Sequence, residues 1–239
     1  MKINTNCVCQ TFRCLRTGTI LQVLLKGSSE TLRISFVRFN GHCLIGLLNG
    51  SPILLDCYCI CSIGIIPPCV EQTTTFTNSF PIEIPDLLPG VPYPSEIEVT
   101  GLTGRIIKAT VTINGFSHTF PDDVGFLLVG PQGQTVNLMN CAGGGDDAVN
   151  ATITFDDSAP SQVPTPIVSG TYQPSGLCTR NFSLPAPSPP YGTQLSTYND
   201  TIANGLWSLY VQDFVGGDIG VISGGWTLNI TSCEIVATI

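Results

Sequence analysis

The sequence predicts an all-β protein whose larger part is a β-sandwich. Three observations predict it. Apolar and polar residues alternate with period 2 in several runs, turn signals recur at sandwich-like spacing, and no convincing amphipathic helix is present. Ile107, Ala109, Val111 and Ile113 alternate with Lys108, Thr110, Thr112 and Asn114, ending at Gly115. Val149, Ala151, Ile153 and Phe155 alternate with Asn150, Thr152 and Thr154, and Phe126 to Val129 is a continuous apolar run that suits a central strand. The turns are read at Pro121-Asp122-Asp123, Gly130-Pro131-Gln132-Gly133, Gly143-Gly144-Gly145, Gly216-Gly217 and Gly224-Gly225. Residues 158–191, with eight prolines, read as a long surface connection. Trp207-Ser208-Leu209-Tyr210-Val211 and Trp226-Thr227-Leu228-Asn229-Ile230 echo one another and read as paired core strands.

Charge and cysteine divide the chain near residue 70. Residues 1–70 carry six Lys/Arg against two acids, a net of +4, and eight of the eleven cysteines. Residues 71–239 carry three Lys/Arg against fifteen acids, a net of −12. Such asymmetry reads as two domains, 1–70 and 71–239. The acidic larger domain argues against a nucleic-acid partner, since phosphate contacts need clustered cations. No apolar stretch reaches membrane-spanning length. The first residues do not read as a signal peptide, although low charge and abundant Thr, Ser, Gly and Pro suit an extracellular or cell- or spore-surface protein.

The smaller domain reads as a Cys-rich β-meander or barrel. Leu32, Ile34 and Phe36 alternate with Arg33 and Ser35, and Asn40-Gly41 and Asn49-Gly50 stand between apolar runs. Asn-Gly is a strong hairpin signal because both central residues of a type I′ turn need positive φ. So small a unit buries little surface, so cross-links or self-association would be needed to compensate.

Four stretches carry a family resemblance. They are Ile113-Asn114-Gly115-Phe116-Ser117-His118-Thr119-Phe120-Pro121-Asp122-Asp123, Leu127 to Leu138 around Gly130-Pro131-Gln132-Gly133, Asn204 to Asp213 around Trp207, and Gly216-Gly217-Asp218-Ile219-Gly220 followed by Gly225-Trp226-Thr227-Leu228. In order and spacing, over about residues 74–232, they resemble the P domain (Homo B domain) of proprotein convertases. The resemblance implies a jelly-roll-like β-sandwich, a structural His at position 118, and attachment to a subtilisin-like protease. No such catalytic domain is in this sequence, and residues 1–70 lie outside the resemblance.

The residues themselves point away from catalysis. The two histidines, His42 and His118, lie in different domains, and His118 has only Ser117 beside it as a nucleophile. No Gly-x-Ser-x-Gly, His-Glu-x-x-His or phosphate-binding loop occurs. Calcium is the expected cofactor, with Asp122, Asp123 and Asp213 the leading ligands and Asp218, Asp146 and Asp147 in support, because paired turn carboxylates repel unless a cation joins them. The alternative is that these aspartates serve only as turn formers. Cys57, Cys59 and Cys61 recur with period 2, so on a strand all three face one side, and Cys7 and Cys9 repeat the spacing. Together with Cys14 and Cys69 they are candidates for intermolecular cross-linking, favoured over a clustered metal because Cys-x₂-Cys pairs are lacking. The expected protein is a non-enzymatic surface component that self-assembles into a homo-oligomer or polymer through residues 1–70. The alternatives are a calcium-dependent glycan- or protein-binding module and an accessory domain for a subtilisin-like protease.

Overall fold

A computed structural model describes residues 15–40, 43–66 and 69–235. The chain forms two units, one ending at Val70 and the other running from Glu71 to Glu234.

In the first unit, β1 (Ile20–Leu25), β2 (Thr31–Asn40), β3 (Cys43–Leu48) and β4 (Ser51–Asp56) form an antiparallel meander, and β5 (Ile60–Ile66) returns to pair with β1. The order is β4-β3-β2-β1-β5. Among the described residues no pairing joins β4 to β5. Asn49 and Gly50 have φ of 51° and 79°, and Leu48 pairs with Ser51 across them. This is the two-residue hairpin that Asn-Gly favours. Alternate residues Leu21, Val23, Ile34, Phe36 and Leu44 fill a small core closed by Cys57 and Ile60.

The expected row of Cys57, Cys59 and Cys61 on one strand face does not form. Cys57–Cys59 is a single 3-10 turn, in which Cys57 is buried and Cys59 exposed. The turn is tied to the β1 hairpin by the bond from the Lys26 N–H to the Cys59 carbonyl, 2.8 Å. Cys61 lies beyond it in β5 and Cys69 begins β6 (Cys69–Asn78), whereas Cys7, Cys9 and Cys14 fall outside the described residues.

The second unit is a β-sandwich. One sheet has the order β14-β11-β10-β15-β8, from Ser175–Gly176, Thr135–Asn140, Val124–Val129, Gly205–Asp213 and Ser95–Val99. The other runs β13-β12-β9-β16-β7, from Gly170–Tyr172, Ala148–Phe155, Arg105–His118, Gly220–Ile222 and Ile82–Ile84. The long β9 forks: its first part pairs with β17 (Trp226–Ile235), which carries β6 as its outer neighbour, and its last residues pair with β16. Gly115 stands at the fork with φ 73°, where a Cβ would lie 2.3 Å from the Ser223 hydroxyl.

Trp207, Trp226, Phe116, Phe126, Phe155 and Tyr198 fill the space between the sheets. The two Trp strands are core strands, but β15 and β17 belong to opposite sheets and do not pair. Period 2 reports the face of a residue; it says nothing of the neighbouring strand. The Pro-rich stretch has more structure than a surface connection. Phe182 and Ala186 pack with Leu127 and Tyr210 on the outer side of β10 and β15. This second covering explains why β10 is apolar on both faces.

Candidate functional site

Parts of three resemblance stretches, the ends of β9 and β15 and the start of β16, meet at one end of the sandwich, whereas the Gly130-Pro131-Gln132-Gly133 hairpin lies at the other end of β10. β9 delivers His118 to this end, β15 delivers Asp213, and β16 begins at Gly220 opposite His118. Gly220 is required there: a Cβ would sit 2.3 Å from the Ser117 carbonyl and 2.4 Å from the His118 ring. The last glycine of Gly217-Asp218-Ile219-Gly220 thus lets β16 lie directly on the imidazole.

The His118 and Asp213 side chains are both 0% exposed, with Nε2 and Oδ2 3.5 Å apart. The Phe120 N–H donates to His118 Nδ1 at 3.1 Å, so the ring proton stands on Nε2 and faces the carboxylate. Among the described residues neither Nε2 nor Oδ2 has a hydrogen-bond partner. The other carboxylate oxygen, Asp213 Oδ1, accepts the Val215 N–H at 3.0 Å. Ser117 is the neighbour of His118 on a strand and points to the opposite side, where its hydroxyl accepts the Asn150 N–H at 2.8 Å. It makes no nucleophile–base pair with the imidazole.

Around this pair three loops are laced together. Thr119 Oγ1 donates to Asp218 Oδ1 at 2.8 Å and accepts the Ile219 N–H at 3.3 Å. Pro121–Asp123 forms a 3-10 turn, and the Asp122 N–H donates to the Gly144 carbonyl at 3.1 Å. Arg180 donates from one Nη to the carbonyls of Asp122 and Asp123, both at 3.1 Å, and its other Nη lies 3.9 Å from Asp123 Oδ1. Its guanidinium also rests 5.4 Å from the Phe214 ring centre. The Cys141–Cys178 disulfide fixes the chain two residues before Arg180. Burial pushes the Asp123 carboxyl above its usual range, and Asp213 pushes it further; Arg180 partly offsets this, while Asp218 and Asp122 add to the rise.

Four of the six expected metal ligands, Asp122, Asp123, Asp213 and Asp218, therefore lie in this end of the sandwich, and Asp146 and Asp147 stand exposed in the turn between β11 and β12. The carboxylates of Asp123, Asp213 and Asp218 already face Arg180, Val215 with His118, and Thr119. Among the described residues no three His, Cys, Asp or Glu side chains converge as a metal-binding group. Sequence reasoning missed Arg180. Its signal was available: it is one of only three cations after residue 70 and follows a cysteine closely.

In the first unit Cys59 is an exposed free thiol and Cys43 a half-buried one, whereas Cys57 is disulfide-bonded. No helix among the described residues is long and apolar enough to cross a membrane.

No protein-family model matches the chain. It is 27% identical over 172 residues to leupeptin-inactivating enzyme 1 of Streptomyces exfoliatus, a match that takes in 72% of this chain and 29% of that protein. The chain thus spans under a third of the length of this relative. Among solved structures, the serine protease of Aeromonas sobria in complex with the chaperone ORF2 aligns over 96% of this chain and 39% of that one, at 11% identity and a TM-score of 0.35. A second structure, of the serine protease of A. sobria, aligns over 95% of this chain and 39% of that one, at 10% identity and a TM-score of 0.31.

Proposed function

We propose that the sandwich is a non-catalytic accessory module of the P-domain kind, which stabilises or positions an extracellular hydrolase of the subtilisin-like class. The observation that carries this reading is the sealed His118–Asp213 pair. The motif residues that would invite an enzymatic reading are engaged in holding three loops together and are out of reach of a substrate. The match to 29% of a longer enzyme supports it, because a 172-residue stretch is far longer than the first unit and must include most of the sandwich. Fold analogy alone would not license the step from module to partner, so the partner needs a direct test. The purified protein is mixed with a subtilisin-like protease from the same source, and the protease's half-life at elevated temperature is followed. A longer half-life with co-elution on gel filtration is expected. An unchanged half-life and separate elution would defeat the reading.

Calcium belongs in that assay as a variable. Asp122, Asp146 and Asp147 are the expected ligands whose carboxylates have no internal partner among the described residues, and Ca²⁺ would need six to eight oxygens around them. A second reading concerns residues 1–70, which we propose cross-link copies of the chain through disulfides. Its support is the exposed free thiol of Cys59. Monomeric mobility on gels run with and without reductant would remove it.

A further inference from the structure

The two sheets of the sandwich end, on one side, in strands with a single partner each. Among the described residues β6 pairs only with β17, and β8 only with β15. Between them runs a groove of about 500 Å³, walled by Thr75 to Phe80 on one side and Glu96 to Glu98 on the other. An unpaired strand edge is a template for another strand, and proteins usually cover or blunt it. Here one side chain partly does so. Asn78 Nδ2 donates to the Glu96 carbonyl at 2.9 Å and to the Ser95 hydroxyl at 3.2 Å, held in place by the Phe80 N–H on its Oδ1. The hydroxyl of Ser95 also accepts the indole N–H of Trp226, which roots the contact in the core.

This bond fixes the direction of the edge. The Glu96 carbonyl faces the groove, so Glu98, two residues along, presents its backbone N–H and C=O to the same side. The amide of Asn78 makes at Glu96 the contact that an added strand would continue at Glu98. Side chains define what that strand must be. Ile97 points into the core, and Glu96 and Glu98 are exposed at alternate positions. Neither β6 nor β8 carries a Lys or Arg. Phe80, 75% exposed, stands at the groove's end as an apolar contact. The hydroxyls of Thr75 and Thr77 do not compete for a ligand, being bonded to Asn229 and Thr227 on the outer face of the other sheet.

We propose that this groove binds an extended, Lys- or Arg-bearing segment of a separate protein as an extra strand along β8. Backbone hydrogen bonds to the edge would supply affinity, and the two glutamates would select the basic sequence. The cations of the sandwich cannot serve, since Arg105, Lys108 and Arg180 are held by Asp200, Asp156 and Asp122 with Asp123. The inference is independent of the accessory reading above, because it concerns the isolated protein and a free peptide.

The test uses a fluorescein-labelled decapeptide of alternating Lys and Thr, titrated by anisotropy against the full chain. Saturable binding is expected, falling with salt and weakened about tenfold in the double variant Glu96→Lys, Glu98→Lys, as reversal of two rim charges would do. Both sites are exposed, so the variant should fold, and its circular dichroism and melting curve check that it does. Hydrogen exchange reads the geometry: the Glu98 amide should slow when peptide is present. Four results would overturn the proposal: no binding, equal binding by the double variant, equal binding of a Glu–Thr decapeptide, or protection away from β8. If instead the groove holds a second copy, the protein will dimerise with concentration and the peptide will dissociate the dimer, which also rejects a separate partner.

Discussion

Two Asp-Asp pairs in the sandwich have the same sequence and opposite surroundings. Asp122-Asp123 lies beside the buried His118 and Asp213, with Arg180 as the nearest cation, and Asp123 is held above its usual carboxyl range. Asp156-Asp157 lies near solvent. Asp156 faces Lys108 at 2.7 Å and accepts from the N–H and hydroxyl of Ser158. Partial burial pushes Asp156 up, but the bonds from Lys108 and Ser158 outweigh it and hold the carboxyl below its usual range. Asp157 accepts the N–H groups of Leu195 and Ser196, both at 2.8 Å, at the start of a 3-10 turn. The comparison teaches that a turn aspartate pair has no chemistry of its own. At the first site the guanidinium of Arg180 faces one carboxylate, that of Asp123, and binds the Asp122 and Asp123 carbonyls, whereas at the second each carboxylate has its own donors.

The sharpest way to break this contrast is to remove Asp213. Asp213→Ala leaves His118 Nε2 buried without its counterpart and strips the Val215 N–H of its acceptor; at about 1–3 kcal/mol for each buried donor left unpaired, it should cost about 3–5 kcal/mol in urea unfolding at neutral pH. The next effect separates the two cations. Arg180→Ala strands two carbonyls and should cost about 1–3 kcal/mol, whereas Lys108→Ala, at a side chain 47% exposed, should cost about 1 kcal/mol or less. Equal losses for the two would erase the distinction drawn here.

The smallest effect is in pH dependence, where the two pairs carry opposite signs. With its folded carboxyl raised, Asp123 binds its proton more tightly in the native state. Its contribution therefore declines as pH rises from the ordinary value of 3.8 through its folded value, and Asp123→Asn should flatten that slope. Asp156, held low, contributes fully above 3.8 and loses that contribution as pH falls through its folded value. Asp156→Asn should therefore be less stable than the wild type at neutral pH and converge with it in acid, read from melting curves across the range.

Much of the fold was legible because alternation reports burial directly. Ile107 to Ile113 and Val149 to Phe155 form strands with the predicted residues inside, apart from Ile107, which is half-buried, and Val149, which is 77% exposed. The Asn49-Gly50 hairpin followed from φ alone. Long-range choices were not legible. Nothing local tells β15 and β17 to join opposite sheets, and the period of Cys57 and Cys59 could not reveal that a 3-10 turn interrupts the strand there. The site was half legible. The motif stretches contain His118, Asp213 and Gly220 without telling that the three meet, and Arg180 reaches Asp122 from 58 residues away through a Pro-rich segment whose path depends on a disulfide and an aromatic cluster.

The central claim, that the His118–Asp213 pair is a structural buttress, is tested most directly by following thermal unfolding and peptide hydrolysis together on the wild type and Asp213→Ala. The account predicts a melting point lowered by about 10 °C, from the stability loss above and the usual scaling for a domain of this size, with no hydrolysis by either protein. A wild type that hydrolyses peptides, and a variant that melts normally but has lost that activity, would contradict it.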